Sequence, residues 1–287
     1  MGLSVTRTGN TFVAEIGGVD LAQPLDEATV EAIRQAWWDN SILVFRGQNL
    51  TQEQHVAFSG HFGELQGHTV KDWLLPTHPE ILVLSNRGRG GVKPLENGGA
   101  YWHSDITYQA VPPMGSILYG LTVPPEGGDT LYADMHAAYE ALDEETKALI
   151  ADRVAIHNYK HRYLLMAEGG RRPDPTPEQL AEWQDVEHPV VLVHPESGRK
   201  CLFVNEGFTV SIKGLEKEES DALLQRLCAH SVKPQFVYAH KWRPGDIVMW
   251  DNRSTMHCAT PYDAEKYERT MHRTTIKGIT GQRAAAA

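Results

Sequence analysis

Tyr101-Trp102-His103-Ser104-Asp105-Ile106-Thr107 is the stretch on which the reading of this chain turns. Its aromatic and β-branched residues predict a strand over Tyr101–Thr107. A strand sends residues i and i+2 to the same face, so His103 and Asp105 would reach one metal ion from neighbouring positions. Tyr101, Trp102 and Tyr108 bracket them as candidate pocket walls. A distant histidine would complete two imidazoles and one carboxylate, a set that leaves coordination positions open and typifies non-haem Fe(II) oxygenases.

The triplet alone is a weak signal. With 14 histidines and 37 acids, about one His-x-Asp/Glu match is expected by chance. The chain has two others, His78-Pro79-Glu80 and His194-Pro195-Glu196. Each carries a proline that constrains the backbone between the ligands. His194–Arg199 also reads as a hairpin turn around Ser197-Gly198, which places His194 in solvent and makes it replaceable at little cost.

Outward from the triplet, β signals dominate the C-terminal two-thirds. Strands are expected at Ser116–Thr122, Thr130–Asp134, Val154–Tyr159, Val190–Val193, Cys201–Asn205, Gln235–Trp242, Asp246–Trp250 and Arg269–Ile276. Helices near Met135–Leu142, Glu144–Asp152 and Glu216–His230 interrupt them. Before the triplet come strands at Thr11–Ile16, Ser41–Phe45 and Ile81–Ser85. A helix over Glu27–Asp39 has Val30, Ile33, Ala36 and Trp37 at helical spacing. Thr51-x-x-Gln54 is a capping box opening a short helix to about His61. The Gly-rich loop Gly88–Gly99 lacks the Gly-Lys-Ser/Thr ending of a phosphate loop. Arg171–Pro177 is a polar, Pro-rich surface loop of the kind that can cover a site. Many short strands with turns between them predict a barrel or jelly roll. No repeat or internal boundary appears, so 1–287 reads as one domain with a tail over 280–287.

The distal histidine is His257, after Trp250-Asp251-Asn252-Arg253-Ser254-Thr255-Met256. A core histidine with satisfied hydrogen bonds explains a lone His equally simply. Beyond it, Arg269, Met271 and Arg273 share one strand face. If that face lines a barrel, two guanidinium groups point inward and need anions. A strand edge paired with surface acids would account for them as well.

The net charge of −10 and scattered Lys and Arg argue against a nucleic-acid partner. No apolar run approaches the roughly 20 residues of a membrane span, and Met1–Asn10 has no signal-peptide core. Cys201, Cys228 and Cys258 are odd in number and widely spaced, which fits buried free thiols in a reducing cytoplasm. These features predict a cytoplasmic protein that acts on a small molecule, and a homo-oligomer, dimer or tetramer, is expected without a sequence signal that fixes it.

Taken together, Trp102-His103-Ser104-Asp105, Gly127-Gly128-Asp129-Thr130, Phe203-Val204-Asn205-Glu206-Gly207-Phe208, Trp250-Asp251-Asn252-Arg253 through His257, and Arg269-Thr270-Met271-His272-Arg273 resemble the taurine/2-oxoglutarate dioxygenase and 2,4-D dioxygenase (TauD/TfdA) family in order and spacing. The resemblance spans about Phe12 to Lys277. It implies a β-rich α+β fold, a double-stranded β-helix (jelly roll, cupin-like) with surrounding helices. It implies Fe(II) on His103, Asp105 and His257, with 2-oxoglutarate and O2 as cosubstrates. Arg269 would hold the far carboxylate of 2-oxoglutarate, with Thr130 hydrogen-bonded to the same group. Arg273 would lie nearer the iron. The implied reaction couples decarboxylation to succinate and CO2 with hydroxylation of an unactivated C–H bond.

For the substrate, the resemblance suggests a small organic acid whose anion meets His68 and Arg273, with Tyr159 and Phe208 as aromatic walls. Phe203–Phe208 favours a taurine-like sulfonate hydroxylated next to its heteroatom. Aryloxyalkanoates and alkyl sulfates are the alternatives, and a non-oxidative metal-binding cupin is a rival of a different class. Two departures weaken the taurine reading. Lys71 stands where taurine enzymes carry tyrosine, and Gly99 stands where they carry asparagine.

Overall fold

A computed structural model describes residues 2–8, 12–68, 71–88, 99–170 and 173–279. Thr11, most of the Gly88–Gly99 loop, Arg171-Arg172 and the 280–287 tail lie outside the described residues. The chain begins with β1 (Ser4–Arg7), β2 (Val13–Gly17), α1 (Glu27–Asn40), β3 (Ile42–Phe45), α2 (Gln52–Gly60) and β4 (Leu82–Ser85). Then come β5 (Gly115–Thr122), β6 (Thr130–Asp134), α3 (Met135–Glu140), α4 (Glu144–Ile150), β7 (Val154–His157), α5 (Tyr159–Glu168) and α6 (Pro177–Glu182). The remainder is β8 (Val186–Pro189), β9 (Val191–Val193), β10 (Lys200–Leu202), β11 (Thr209–Ile212), α7 (Lys217–Ser231), β12 (Val237–His240), β13 (Ile247–Asp251), β14 (Thr255–Ala259) and β15 (Thr270–Ile276).

Seven strands form one sheet in the order β1-β2-β3-β13-β5-β15-β4, and β12-β6-β14 form a second. Every pairing is antiparallel except β2 with β3. The strand alternation explains why the large sheet is buried on both sides. Leu43, Phe45, Ile117, Ile247 and Met249 pack with Val30, Ile33, Trp37 and Phe58 of α1 and α2. Ile42, Val44, Leu118, Val248, Trp250 and Met271 turn the other way and meet Tyr132 of the second sheet. A third cluster lies behind that sheet, where Ala133 and Met256 pack on Leu202, Leu223 and Leu227. Truncating a buried Trp such as Trp37 or Trp250 in these layers should cost about 3–5 kcal/mol.

Local signals account for the helices. Asp26 caps α1 by accepting from Thr29 N. Thr51 and Gln54 form the expected capping box of α2. The His194–Arg199 hairpin joins β9 to β10 as read.

Several expectations need correction. Tyr101–Thr107 is not a strand: His103 makes only an isolated bridge to His257. The chain then turns through Asp105–Tyr108, with Ile106 at φ 55°. A positive φ at a β-branched residue is strained and is held only by its surroundings. Strand character also stops at His157, because the Asn158 side chain accepts from Lys160 N and starts α5. His194, finally, is buried rather than exposed. Cys201, Cys228 and Cys258 are free, but only Cys201 is fully buried.

Candidate metal centre

His103, Asp105 and His257 come together between the sheets, each offering a ligand atom within 4.8 Å of the others. All three are buried. Paired bridge bonds fix the two histidines: His103 N donates to His257 O at 3.0 Å, and His257 N donates to His103 O at 2.8 Å. Their imidazole centroids lie 4.2 Å apart. The Nδ1 of His103 donates to the Tyr101 carbonyl at 2.8 Å. That contact sets the tautomer and leaves Nε2 as a lone-pair donor, the usual outer-shell arrangement of a metal-ligating histidine. Burial pulls both imidazoles toward the neutral form, His257 to about 3.

Asp105 is placed by a turn rather than by a strand, and three side chains hold it. Asn252 accepts from Asp105 N at 2.6 Å and donates to Asp105 O at 2.9 Å. Ser116 donates to Oδ2 at 3.1 Å. Arg273 donates to Oδ1 at 2.9 Å. Burial alone would raise this carboxyl. The Arg273 guanidinium and the two imidazoles outweigh it and hold the group well below the usual carboxylate range. Two neutral nitrogens and an anionic oxygen fit a divalent, borderline metal such as Fe(II).

The residues expected to clamp a dicarboxylate also lie beside the inter-sheet layer. Two successive positive-φ glycines, Gly127 and Gly128, turn the chain so that Gly128 O accepts from Arg269 Nε at 3.2 Å. Arg269 forms no salt bridge with an acid among the described residues, and burial lowers its pKa. Such a cation suits an incoming carboxylate. Thr130 is buried, and its Oγ1 accepts from the Trp242 indole at 3.0 Å. Its own proton is thereby left for another acceptor.

Aromatic residues wall the metal cluster on one side. Phe208 stands edge-on to His103 at 6.2 Å and packs on Tyr108 at 4.9 Å. Tyr159, at the start of α5, packs on Tyr108 at 4.8 Å and lies 6.2 Å from Phe208. Asn205 holds Phe208 by accepting from its backbone N at 2.8 Å. A Cβ at Gly207 would come within 2.6 Å of the Tyr101 ring and 3.0 Å of His103 Cβ, so only glycine allows this loop so close. Gly99 sits similarly against His103, at φ 80°.

His68 lies elsewhere. It lines an open depression of about 1010 Å³ with Leu65, Lys71, Asp72, Leu75 and Glu80. None of the three cluster residues lines that depression.

Several residues of the site were missed in the sequence. Asn252 falls within the Trp250–His257 motif, but nothing in the sequence alone marks its role. Ser116 was read only as a strand residue. Arg162 was not singled out; its guanidinium lies 3.5 Å above the Tyr101 ring, and no described acid pairs with it. The run Tyr159-Lys160-His161-Arg162 was the available signal for it.

A buried pair of imidazoles with one carboxylate, on the inner face of a strand-rich protein, marks the class as a non-haem metalloenzyme of the oxygenase kind. The family model described as "Taurine catabolism dioxygenase TauD, TfdA family" matches residues 4–275, and the chain belongs to that family. It is accordingly a dioxygenase, an oxidoreductase. The chain is 35% identical over 279 residues to the (S)-phenoxypropionate/alpha-ketoglutarate-dioxygenase of Sphingobium herbicidovorans, covering 96% of each. It is 33% identical to the alpha-ketoglutarate-dependent 2,4-dichlorophenoxyacetate dioxygenase of Cupriavidus pinatubonensis, covering 92% of this chain and 94% of that one. An alkylsulfatase of Acinetobacter baylyi is 35% identical, with 96% and 85% covered. Among solved structures, AAD-2 in complex with Mn(II) and N-oxalylglycine superposes with a TM-score of 0.85 at 33% identity, covering 99% and 100%. A taurine dioxygenase from Burkholderia xenovorans gives 0.79 at 36%, covering 96% and 90%.

Proposed function

We propose that the chain is an Fe(II)- and 2-oxoglutarate-dependent dioxygenase of single-domain, double-stranded β-helix architecture. It hydroxylates a small organic anion at the carbon next to a heteroatom. The observation that carries this reading is the buried His103–Asp105–His257 cluster, with the Thr130 hydroxyl and the Arg269 guanidinium, which pairs with no described acid, nearby. Family membership favours it over a non-oxidative metal cupin.

In this reading His103, Asp105 and His257 hold Fe(II) through Nε2, a carboxylate oxygen and Nε2. Arg269 and Thr130 take the far carboxylate of 2-oxoglutarate. Bound Fe(II) supplies O2 activation, coupling loss of CO2 from 2-oxoglutarate to insertion of one oxygen atom into a substrate C–H bond. Arg273 orients Asp105 and adds a positive charge beside the chelating end of the cosubstrate. Phe208 and Tyr159 exclude water and pack the organic part of the substrate. His68 lines a separate depression and makes no contact with the substrate anion. Hydroxylation at a carbon that bears an ether or ester oxygen gives a hemiacetal-type carbon, which expels the oxygen-bearing fragment and leaves a carbonyl.

The Phe208–Tyr108–Tyr159 wall supports an aryloxyalkanoate over taurine, as do Lys71 and Gly99, which would serve taurine's ammonium poorly. An alkyl sulfate or sulfonate is the second reading, supported by the likeness to an alkylsulfatase. Succinate release should be assayed with phenoxyacetate, phenoxypropionate, an alkyl sulfate, taurine and neutral phenyl ethers. Aryloxy acids are expected to turn over best, with neutral ethers at least tenfold slower in kcat/KM. Faster turnover of the neutral ethers would sink the anion-pocket assignment.

A further inference from the structure

We propose that Tyr132 is an additional cosubstrate-binding residue, donating its phenolic hydroxyl to the far carboxylate of 2-oxoglutarate beside Arg269 and Thr130. The inference rests on the 2-oxoglutarate reading of the site and adds a contact to it.

Tyr132 is fully buried, yet its hydroxyl has no hydrogen-bond partner among the described residues. Buried tyrosine hydroxyls ordinarily find one, and leaving that bond unmade is costly. Its position indicates what the missing partner is. Thr130 and Tyr132 are two apart on β6 and so share one face. The neighbouring Ala133 turns away into the cluster behind the sheet. Trp242 packs in the same cluster as Tyr132 and donates to Thr130. The Tyr132 ring lies 6.1 Å from that of His257 and 5.7 Å from that of Trp250, which places it alongside the metal cluster. The Arg269 guanidinium lies close enough to act on the Tyr132 hydroxyl.

The chemistry of the surroundings selects the ligand. A guanidinium, the free proton of Thr130 and a phenol make a set of donors, and donors call for an anionic acceptor. Burial pushes the phenol well above its ordinary pKa, so it remains the protonated donor. With Arg269 paired to no acid among the described residues, a carboxylate arriving here would satisfy three groups at once.

Tyr132→Phe removes the hydroxyl and keeps the ring. Anaerobic Fe(II)-loaded protein should be titrated with 2-oxoglutarate, following the visible absorption of the chelate, and with 2-oxopentanoate, which lacks the far carboxylate. The variant should bind 2-oxoglutarate about tenfold to a hundredfold more weakly, with unchanged affinity for 2-oxopentanoate and for Fe(II). Without cosubstrate it should melt no lower than wild type, because the hydroxyl makes no bond there to lose. Unchanged 2-oxoglutarate affinity would overturn the proposal, as would equal weakening of both acids. A lower Tm in the cosubstrate-free variant would also overturn it, by showing that the hydroxyl already has a partner. If the wild type itself bound no 2-oxoglutarate, the reading of the whole site would fall and this assignment with it; an effect absent only in Tyr132→Phe would remove the assignment alone.

Discussion

Asp105 shows how much of the site is built to hold one carboxylate. Its backbone is clamped on both sides by Asn252, and its two oxygens are divided between Ser116 and Arg273. Outer-shell partners of this kind typically change metal affinity by about 10- to 100-fold when removed. Ser116→Ala should therefore weaken Fe(II) binding about tenfold while the melting temperature stays near wild type. Asn252→Ala should do both, lowering metal affinity and stability, since it also loses a bond to Pro113 O. Metal titration beside thermal melting separates the two, and wild-type metal affinity in both variants would remove these residues from the site. Arg162 acts at the same scale but on the substrate. Because its guanidinium covers Tyr101 and pairs with no described acid, Arg162→Gln should raise KM severalfold for acidic substrates and leave 2-oxoglutarate affinity unchanged. Equal KM for acidic and neutral substrates in that variant would contradict this.

Among the elements, the turn between β13 and β14 is the one that assembles the centre. It carries Asn252 toward Asp105, and it is stapled by buried charges. Arg253 donates to both oxygens of Asp251, at 3.0 and 2.6 Å, and His194 donates to Asp251 Oδ2 at 3.0 Å. Glu196 pairs with Arg253 at 2.9 Å. His194→Ala should thus cost about 1–3 kcal/mol by stripping a hydrogen bond from a buried carboxylate, read from urea unfolding. A neutral result would show the staple to be dispensable. This network was illegible in the sequence because His194 and Asp251 are 57 positions apart, while the Ser197-Gly198 turn signal suggests only a surface hairpin. Tyr101–Thr107 misleads for a related reason. Its composition favours a strand, but the long-range bridge to His257 and the reversal at Ile106 decide its shape. The helix α6 carries its own sequence signal: Thr176 and Gln179 form a capping box with Pro177 at the first helical position. By contrast, α1, α2, β5, β6 and β15 followed directly from their own periodicity and caps. The metal triplet and Arg269 were legible because motifs keep their order, whereas Tyr132 and Arg162 matter only through neighbours that the fold supplies.

For the molecule as a whole, the many histidines become a statement about pH. Burial holds His55 and His157 neutral down to about 3, and His136 to about 4. Unfolded histidines titrate near 6.5. Between about pH 6.5 and pH 4 the unfolded chain therefore binds more protons, so stability is complete above that window and falls as pH drops through it. Each such histidine contributes a slope of up to about 1.4 kcal/mol per pH unit. Urea unfolding at pH 7.5, 6 and 5 should show a steep decline, shallower by about one proton in His157→Asn. Stability that is flat over this range would contradict the burial of these rings.

The space between the two sheets is proposed to hold Fe(II) on His103, Asp105 and His257 with 2-oxoglutarate bound beside it. The most direct measurement is the visible absorption of anaerobic protein mixed with Fe(II) and then 2-oxoglutarate, in wild type and in His257→Ala. A saturable metal-to-ligand band is expected at one equivalent of Fe(II) in wild type, and none in the variant. An equal band in His257→Ala, or none in folded wild type, would contradict it.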